Sequence, residues 1–426
     1  MSVLSIGVSG LRAAQIGMDV TSHNIANVNT PNFQRQMVEL QDVVYNSGSP
    51  HIPSGAGVAV ANIKNINDPL LIKAYPSALS DSEEYNSLAS LAKPFDSLIN
   101  SPALNLSQAM QDTFNAFQDV ADTPTSIPIR QNAINTAQTF VDKSTSLTGA
   151  LKDLKTDLTS NFGSSADSIN SLSTNIAEMN KQIQALGSNS TAGLIAQRDG
   201  MTFELSKLTG VEISADKQRI TTTSGKLLVN GNDATLIKPE DIPNISGGSI
   251  GGTNKFITTM LNPAIDKLPQ AINSVASEIN AQAIKGFDMN GEVGTAIFKV
   301  SESGLSMNIT DPKTLGASSV NDGIGDGTNA QNISDLRKKL FGGETLQSKY
   351  AGILSNFDSK AKSYSDMSGM YQSVSTNIED KMKSVSGVNL DEEAANLLRY
   401  QQMYQANAQV IKTQNEMFGT LINMVA

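Results

Sequence analysis

The sequence contains no cysteine and no tryptophan, and it has only two histidines among its 426 residues. Without cysteine there are no disulfides, no thiolate metal sites and no cysteine nucleophile. With only His23 and His51, most histidine-based catalysis and metal ligation is excluded as well. Charged residues are 17% of the chain, below the usual share of roughly 25%. Aromatic residues are 5%, so we do not expect a large aromatic core.

The net charge and the absence of long apolar runs limit the classes of partner. A net charge of −10 argues against binding to nucleic acids or to anionic membrane surfaces. No apolar run approaches the roughly 20 residues that a bilayer span needs, so we expect no membrane insertion. The N-terminus lacks the basic start of a cleavable signal peptide, and Arg12 stands where the apolar core of such a peptide should be.

A seven-residue apolar period runs through the last stretch of the chain, from Leu390 to Ala426. Its members are Leu390, Leu397, Tyr404, Ile411, Phe418 and Val425. Sustained over five repeats, this period predicts one long helix with a narrow seam that faces another helix, as in a coiled coil. Asn389 is expected to cap its start. Because such a helix is marginal alone in water, it needs a partner.

The same period near the N-terminus supplies that partner. Its members are Leu4, Leu11, Met18 and Ile25. Between Met1 and Gln34 the only charged side chains are Arg12 and Asp19, whereas a surface helix normally carries many charges opposite its apolar stripe. We infer that the outer face is covered by other subunits of an assembly. The alternative is an ordinary low-charge helix buried in the core of a monomer.

A turn segment follows the N-terminal helix and carries the first resemblance. It reads Asn24-Ile-Ala-Asn27-Val-Asn29-Thr-Pro31-Asn32-Phe33. Asn32 after Pro31 predicts a turn with a positive φ at the asparagine. Following a heptad helix, the motif resembles the signature of the bacterial flagellar axial proteins, which comprise rod, hook and hook-associated proteins. The family usually has Gly-Tyr after the proline, where this chain has Asn32-Phe33.

Further segments resemble the hook-associated members that link hook to filament. They are Arg35-Gln36, Thr123-Pro-Thr-Ser-Ile-Pro-Ile-Arg130-Gln131, Gln197-Arg198-Asp199, Ser386-Gly-Val-Asn389-Leu-Asp-Glu-Glu393 and Tyr400-Gln-Gln-Met-Tyr404-Gln-Ala-Asn407-Ala-Gln409. The resemblance therefore touches both chain ends and the first half of the middle.

This resemblance implies a structural protein of the flagellum, with no enzyme activity and no cofactor. It implies export through the flagellar type III channel as an unfolded chain, and polymerisation of the terminal helices into a ring or helical assembly outside the cell. The implied partners are copies of itself, the hook protein, a second junction protein (hook-associated protein 3) and a cytoplasmic export chaperone on the C-terminal helix. Since an isolated seam is marginal, we expect the ends to become ordered on assembly.

The patterns between the ends predict a mainly α fold with nested domains. Long helical periods fill 127–208 and 345–385, short strand patterns fill 211–240, and the glycines of 247–252 suggest a flexible link. The period breaks at 386–389. We therefore expect a terminal coiled-coil domain of residues 1–60 with 386–426, and a central helical domain of residues 61–385 with a small antiparallel β element. The β-rich outer domain common in the family is expected to be reduced or absent, because 286–330 is too short for it.

The segments that look like catalytic or metal-binding motifs lack residues that such sites need. Asp288-Met-Asn290-Gly291 begins like a calcium loop, but Val293 and Lys299 stand where the EF-hand pattern needs Gly and Glu, so a turn is expected. His23 has no nucleophile or orienting acid, and Asp391-Glu-Glu393 are expected only as acids at a helix start. Two alternatives remain: another axial protein of the hook or distal rod, and an axial scaffold that carries an enzyme.

Overall fold

The computed structural model describes residues 3–44, 55–187, 191–301 and 304–425. The α-helices are α1 (Val3–Ala26), α2 (Pro69–Ile99), α3 (Leu106–Asp122), α4 (Ile127–Ser160), α5 (Phe162–Leu186), α6 (Ala192–Leu208), α7 (Gly248–Phe256), α8 (Asn262–Ala283), α9 (Thr328–Asp335), α10 (Leu346–Ser386) and α11 (Leu390–Val425). The strands are β1 (Gln36–Val44), β2 (Gly55–Asn65), β3 (Val211–Ile213), β4 (Arg219–Thr222), β5 (Leu227–Asn230), β6 (Asp233–Ala234), β7 (Phe298–Ser301) and β8 (Gly304–Met307). The predicted mainly α fold is confirmed.

The chain divides into two compact units, each built from separate stretches of sequence. The first consists of Met1–Glu83, Ser164–Gly248 and Tyr371–Ala426, and the second of Glu84–Gly163 and Ser249–Met370. The first unit contains both chain ends. The limits of this unit differ from the domain boundaries that the sequence predicts at residues 60 and 386. The two-domain scheme drawn from the sequence therefore stays a prediction.

The first unit holds α1, α6, α11 and two small antiparallel sheets. In one sheet β1 pairs with β2, from Gln36 opposite Asn65 to Val44 opposite Gly55. The other has the order β3-β4-β5-β6, which confirms the antiparallel element predicted near 211–240. Between α1 and β1 the backbone turns at Asn32, whose φ is 60°. The positive φ predicted for this asparagine is thus confirmed.

The second unit packs its core between α3, α4, α8 and the neighbouring parts of α2 and α10. Phe95 is fully buried and makes edge contacts with two other rings, at centroid distances of 5.6 Å to Phe256 and 5.5 Å to Phe357. Phe114, Phe117 and Phe140 are buried in the same cluster. The chain has few aromatic residues, and its phenylalanines are concentrated here, where burial of a large apolar surface contributes most to stability.

The glycine-rich segment at 247–252 is not the flexible link that the sequence predicts. α7 begins at Gly248, so that prediction is wrong. Gly247 and Gly248 have φ values of 74° and 63°, in the left-handed region that favours glycine. A Cβ atom on Gly252 would collide with the carbonyl oxygen of Glu84. These glycines therefore serve a tight turn and a close helix contact, and glycine content alone does not separate such uses from a linker.

Candidate assembly interface

The two chain ends pair as antiparallel helices. α1 packs along α11, and the facing pairs are Gly7 with Ile411, Gly17 with Tyr400, and Asn24 with Glu393. Numbers rise along one helix where they fall along the other, so the two helices run in opposite directions. The predicted partnership of the two terminal helices is therefore confirmed within one chain.

Small and polar residues make this contact. The buried positions of α1 are Gly7, Gly10, Ala13, Ala14, Gly17, Val20, Thr21 and Asn24. A Cβ atom on Gly7 would lie 3.0 Å from Cγ1 of Ile411, and one on Gly17 would lie 2.5 Å from the ring of Tyr400. Because glycine has no side chain, the two backbones approach closely and the side chains of α11 fill the space.

The predicted apolar stripes lie largely outside this contact. Leu4, Leu390, Tyr404 and Phe418 are exposed, whereas Leu11, Met18, Ile25, Leu397 and Ile411 are half-buried. The side chain of Val425 lies outside the described residues. Of the predicted set, the structure brings Ile411 against α1, opposite Gly7. The role of the remaining stripe residues in assembly stays a prediction.

α11 extends beyond the first described residue of α1. Since Gly7 faces Ile411, Val3 lies opposite the turn near Asn415, and the last turns of α11 continue past it. This extension, residues 416–425, carries large apolar side chains that are more than half exposed: Met417, Phe418, Leu421, Ile422 and Met424. An exposed apolar row of this kind marks an interaction surface.

A polar cluster around buried Asn24 and Glu393 joins the two chain ends at the other end of the helix pair. Oε1 of Glu393 accepts a hydrogen bond from Nε of Arg35 at 2.6 Å, and Oε2 accepts one from Nδ2 of Asn24 at 3.1 Å. Asn24 also exchanges two hydrogen bonds of 2.9 Å with the backbone of Gln36. Nη1 of Arg35 donates to Oε2 of Glu392 at 2.8 Å. We call these five residues the N–C clamp.

The clamp is positioned by local structure that the sequence signals. The amide of Asp391 donates to Oδ1 of Asn389 at 3.0 Å, so the predicted cap of α11 is confirmed. The amide of Arg35 donates to the carbonyl of Ser386 at 2.9 Å, which places its guanidinium beside the first turn of α11. Glu392 and Glu393 were expected only as acids at a helix start. Their pairing with Arg35 and Asn24 is long-range and was missed.

The rest of the turn motif has local roles. Nδ2 of Asn27 donates to the carbonyl of His23 at 2.9 Å, and Oδ1 of Asn27 accepts from the hydroxyl of Thr30 at 3.1 Å. The ring of His23 packs edge-on against Phe33, with a distance of 5.5 Å between the ring centroids. Asn29 and Pro31 are exposed. Asn24 is thus the motif residue that reaches the C-terminal helix.

The segment considered as a calcium loop forms a turn. Oδ1 of Asp288 accepts from the amides of Asn290 and Glu292 at 2.7 and 2.9 Å. Across the described ranges, no group of three or more histidine, aspartate and glutamate side chains is close enough to hold a metal ion. None of the helices described is both long and apolar enough to cross a membrane.

Three protein-family models match the chain, and all three describe flagellar proteins. The flagellar hook-associated protein FlgK helical domain matches residues 92–242 and 237–298. The flagella basal body rod protein model matches residues 4–34. The flagellar basal body rod FlgEFG protein C-terminal model matches residues 381–424. Together these ranges include most of both terminal helices and much of the middle.

Relatives align over nearly the whole chain. Flagellar hook-associated protein 1 of Escherichia coli (strain K12) is 24% identical, over 99% of this chain and 100% of that protein. The flagellar hook protein FlgE of the same organism is 26% identical over 99% of each. The first alignment spans 547 positions, more than the 426 residues of this chain, so that relative has segments that this chain lacks.

Among the solved structures that match the chain is one with a similar fold. It is the flagellar hook junction protein FlgK from Burkholderia pseudomallei, with a TM-score of 0.66 and 15% sequence identity. The match covers 74% of this chain and 100% of that chain. At this level of identity the likeness is one of fold, and it agrees with the long helices and small sheets described above.

Proposed function

The chain belongs to the bacterial flagellar family of rod, hook and hook-associated proteins, and from this premise we propose that it assembles through α1 and α11 at the hook–filament junction. It is a structural component of the flagellum and not an enzyme. It assembles with other axial proteins of the flagellum.

The extension of α11 is the observation that supports this proposal. Its apolar row is exposed in the isolated chain, whereas a helix that faces water normally buries its apolar face against something. α1 is also almost free of charge on its outer side, where Arg12 and Asp19 are the charged residues. Surfaces depleted of charge and rich in apolar side chains are typical of the buried centre of protein interfaces.

Membership in this family supports a proposal for the neighbours on these surfaces. We propose that copies of this chain pack side by side in a ring or short helix, between the hook protein and hook-associated protein 3. Before export, a cytoplasmic chaperone covers α11, because its exposed apolar row would otherwise favour aggregation. The chain then leaves through the type III channel and works outside the cell.

The domain scheme of the sequence fits this proposal. The terminal domain, residues 1–60 with 386–426, forms the axial part, and residues 61–385 form the central body. The N–C clamp supports this division because it joins the two segments of the terminal domain. The outer domain is reduced or absent, a proposal that is supported by the shorter length of this chain against the E. coli relative.

A charge placed on the extension tests the assembly surface. Phe418→Asp is expected to abolish incorporation into flagella, because a buried, unpaired carboxylate is costly in an apolar interface. Thr420→Asp is the matched control, since it puts the same charge on the opposite side of the same turns. Far-UV circular dichroism of both variants should match the unmodified chain. Normal incorporation of Phe418→Asp would contradict the proposal that the extension of α11 is an assembly surface.

Ile411→Asp addresses the internal contact as well. Ile411 lies against Gly7, so this variant is expected to separate the two terminal helices and to abolish incorporation, while the second unit remains folded. Comparison with Phe418→Asp separates the loss of helix pairing from the loss of contacts with neighbours. A limited-proteolysis pattern that is unchanged in Ile411→Asp would contradict the expected separation.

A hook or distal-rod role is the second candidate. It is favoured by the alignment with the E. coli hook protein over 99% of each chain. Against it stand the helical-domain match over residues 92–298 and the long helices α4, α5 and α10. The family's hook and rod members are expected to have mostly β bodies. A far-UV circular dichroism spectrum dominated by β structure would favour this second role.

A further inference from the structure

A cavity in the first unit has apolar walls and a positive rim. It has a volume of 470 Å³ and is lined by the start of α2, by α6, and by β3, β4 and the turn between them. Its apolar lining includes Leu70, Ile72, Phe203, Ile213 and Ile220. The volume is within the range of about 300–1,000 Å³ that is usual for ligand sites, and it exceeds what a single side chain fills.

The charges at the cavity are unbalanced. Asp199 is buried and accepts from Nη2 of Arg198 at 3.1 Å and from Nζ of Lys217 at 2.7 Å. One carboxylate therefore forms ion pairs with two cationic side chains. Lys73, on the rim, has no ion-pair partner among the described residues. In a chain with a net charge of −10, this cavity is a local positive site that favours an incoming carboxylate.

A surface of the opposite character lies in the second unit. Two loops, residues 286–294 and 316–328, together carry four carboxylates and no lysine or arginine. Of these carboxylates, Glu292 and Asp322 are exposed, whereas Asp288 is buried. Phe287 forms backbone bridges to Val293 in the first loop and to Ser318 in the second, which holds the loops together. Side chains of Ser319 and Thr328 donate to Asp326 at 2.8 and 2.5 Å and fix the second loop. We call the two loops the acidic tip.

The acidic tip presents apolar and acidic side chains side by side. Val293, Val320 and Ile324 are large apolar residues that remain exposed. Glu292 and Asp322 are exposed beside them, and neither carboxylate has a partner in the part of the chain that the structure describes. The tip therefore offers what the cavity accepts: an aliphatic side chain next to an unpaired carboxylate.

We propose that the cavity of one copy of this chain receives the acidic tip of a second copy. An aliphatic side chain of the tip enters the apolar cavity, and the carboxylate of Asp322 pairs with Lys73 on its rim. Two different surfaces meet in such a contact, and contacts of this type build closed rings or open helical arrays. The inference rests on the proposed function, in which copies of the chain are neighbours.

Cysteine cross-linking tests the contact directly, because the chain has no cysteine of its own. Lys73→Cys and Asp322→Cys variants are produced together in motile cells, and isolated hook–filament junctions are mildly oxidised. A disulfide-linked dimer of the two variants is expected. Asp153→Cys replaces Asp322→Cys in the control, since Asp153 is exposed on α4 far along the sequence from the tip, and no dimer with Lys73→Cys is expected.

Charge reversal supplies a second readout. Lys73→Glu and Asp322→Lys are each expected to lower incorporation about tenfold, because like charges then face each other. The double variant Lys73→Glu/Asp322→Lys is expected to restore it, since the pair is re-formed with its signs exchanged. Junctions that contain both cysteine variants but no linked dimer would overturn this contact and leave the proposed function standing. If the unmodified chain is itself missing from isolated junctions, both the contact and the proposed function are overturned.

Discussion

The guanidinium of Arg35 donates from Nε to Oε1 of Glu393 at 2.6 Å, although 358 positions separate the two residues in sequence. Arg35 follows the N-terminal turn motif, and Glu393 stands in the first turn of α11. The two motifs that resemble the axial family at opposite ends of the chain therefore meet in one ion pair. A motif that looks like local turn chemistry also holds the ends of the chain together.

Removal of the buried acid is expected to release the two ends from each other. Glu393 is 2% exposed, so Glu393→Ala leaves Arg35 and Asn24 without their shared acceptor, at a cost of about 3 kcal/mol in the free energy of unfolding. Glu392→Ala is the matched control. It removes a carboxylate that is 58% exposed, and such surface pairs contribute about 0–1 kcal/mol. Urea unfolding of both variants is the measurement, and equal losses would contradict the account.

Substitution of alanine for two glycines of the helix pair is expected to change the stability of the chain in opposite directions. A Cβ on Gly17 would lie 2.5 Å from the ring of Tyr400, which is itself buried, so Gly17→Ala forces the helices apart at a cost of about 1–3 kcal/mol. A Cβ on Gly419 would meet no described atom within 4 Å. Gly419→Ala should stabilise α11 by about 0.5 kcal/mol through its higher helix propensity. Thermal unfolding of the two variants checks the sign of each.

Periodicity predicted the terminal helices and the place where they begin. The break at 386–389 separates α10 from α11, and the cap at Asn389 and the positive φ at Asn32 also follow from local chemistry. These features depend on residues close together in sequence. They can therefore be read from spacing and from the preferences of Asn, Pro and Gly.

The face of the helix contact could not be found by following large apolar residues. Gly7, Gly10, Ala14, Gly17, Thr21 and Asn24 recur in steps of three and four, and these residues are buried. The signal was a period of small residues beside the period of Leu, Met and Ile. The N–C clamp was beyond sequence reasoning for another reason: which acid pairs with Arg35 depends on the register of two helices, and that register is set by packing.

The pH dependence of the second loop of the acidic tip follows from Asp326. Hydrogen bonds from Thr328 and Ser319 hold the pKa of its carboxyl well below the usual value, near 3.9 for an aspartate. Because the folded-state pKa is depressed, this contribution to stability is present above the unfolded pKa and is lost as pH falls. Asp326→Asn should lower the free energy of unfolding at pH 7. It should also make the decrease of that free energy at acid pH smaller than in the unmodified chain. Asp322→Asn, in the same loop, should keep the stability of the unmodified chain at pH 7.

A buried arginine makes the second unit sensitive to a conservative change. Arg130 is 1% exposed and donates to the carbonyls of Pro124 at 2.5 Å and Leu315 at 2.7 Å. Lysine has no planar fork and cannot reach both acceptors at once, so Arg130→Lys should cost about 2–3 kcal/mol. Arg337→Lys is the control, because Arg337 donates to Asn115 at the exposed surface. Urea unfolding that shows equal effects would contradict this role.

Hydrogen exchange along α11 is expected to divide where α1 ends. From Glu393 to Ile411 the helix is packed against α1, and its amides are protected by that contact. None of the described residues of α1 covers the extension, residues 416–425, and a short uncovered helix end is marginal in water. Exchange in the full-length monomer should therefore be faster in the extension than in the paired part, and it should slow on assembly, when neighbours cover the apolar row. Uniform protection along α11 in the monomer would mean that the extension is already covered, and the surface proposed for assembly would have to be sought elsewhere.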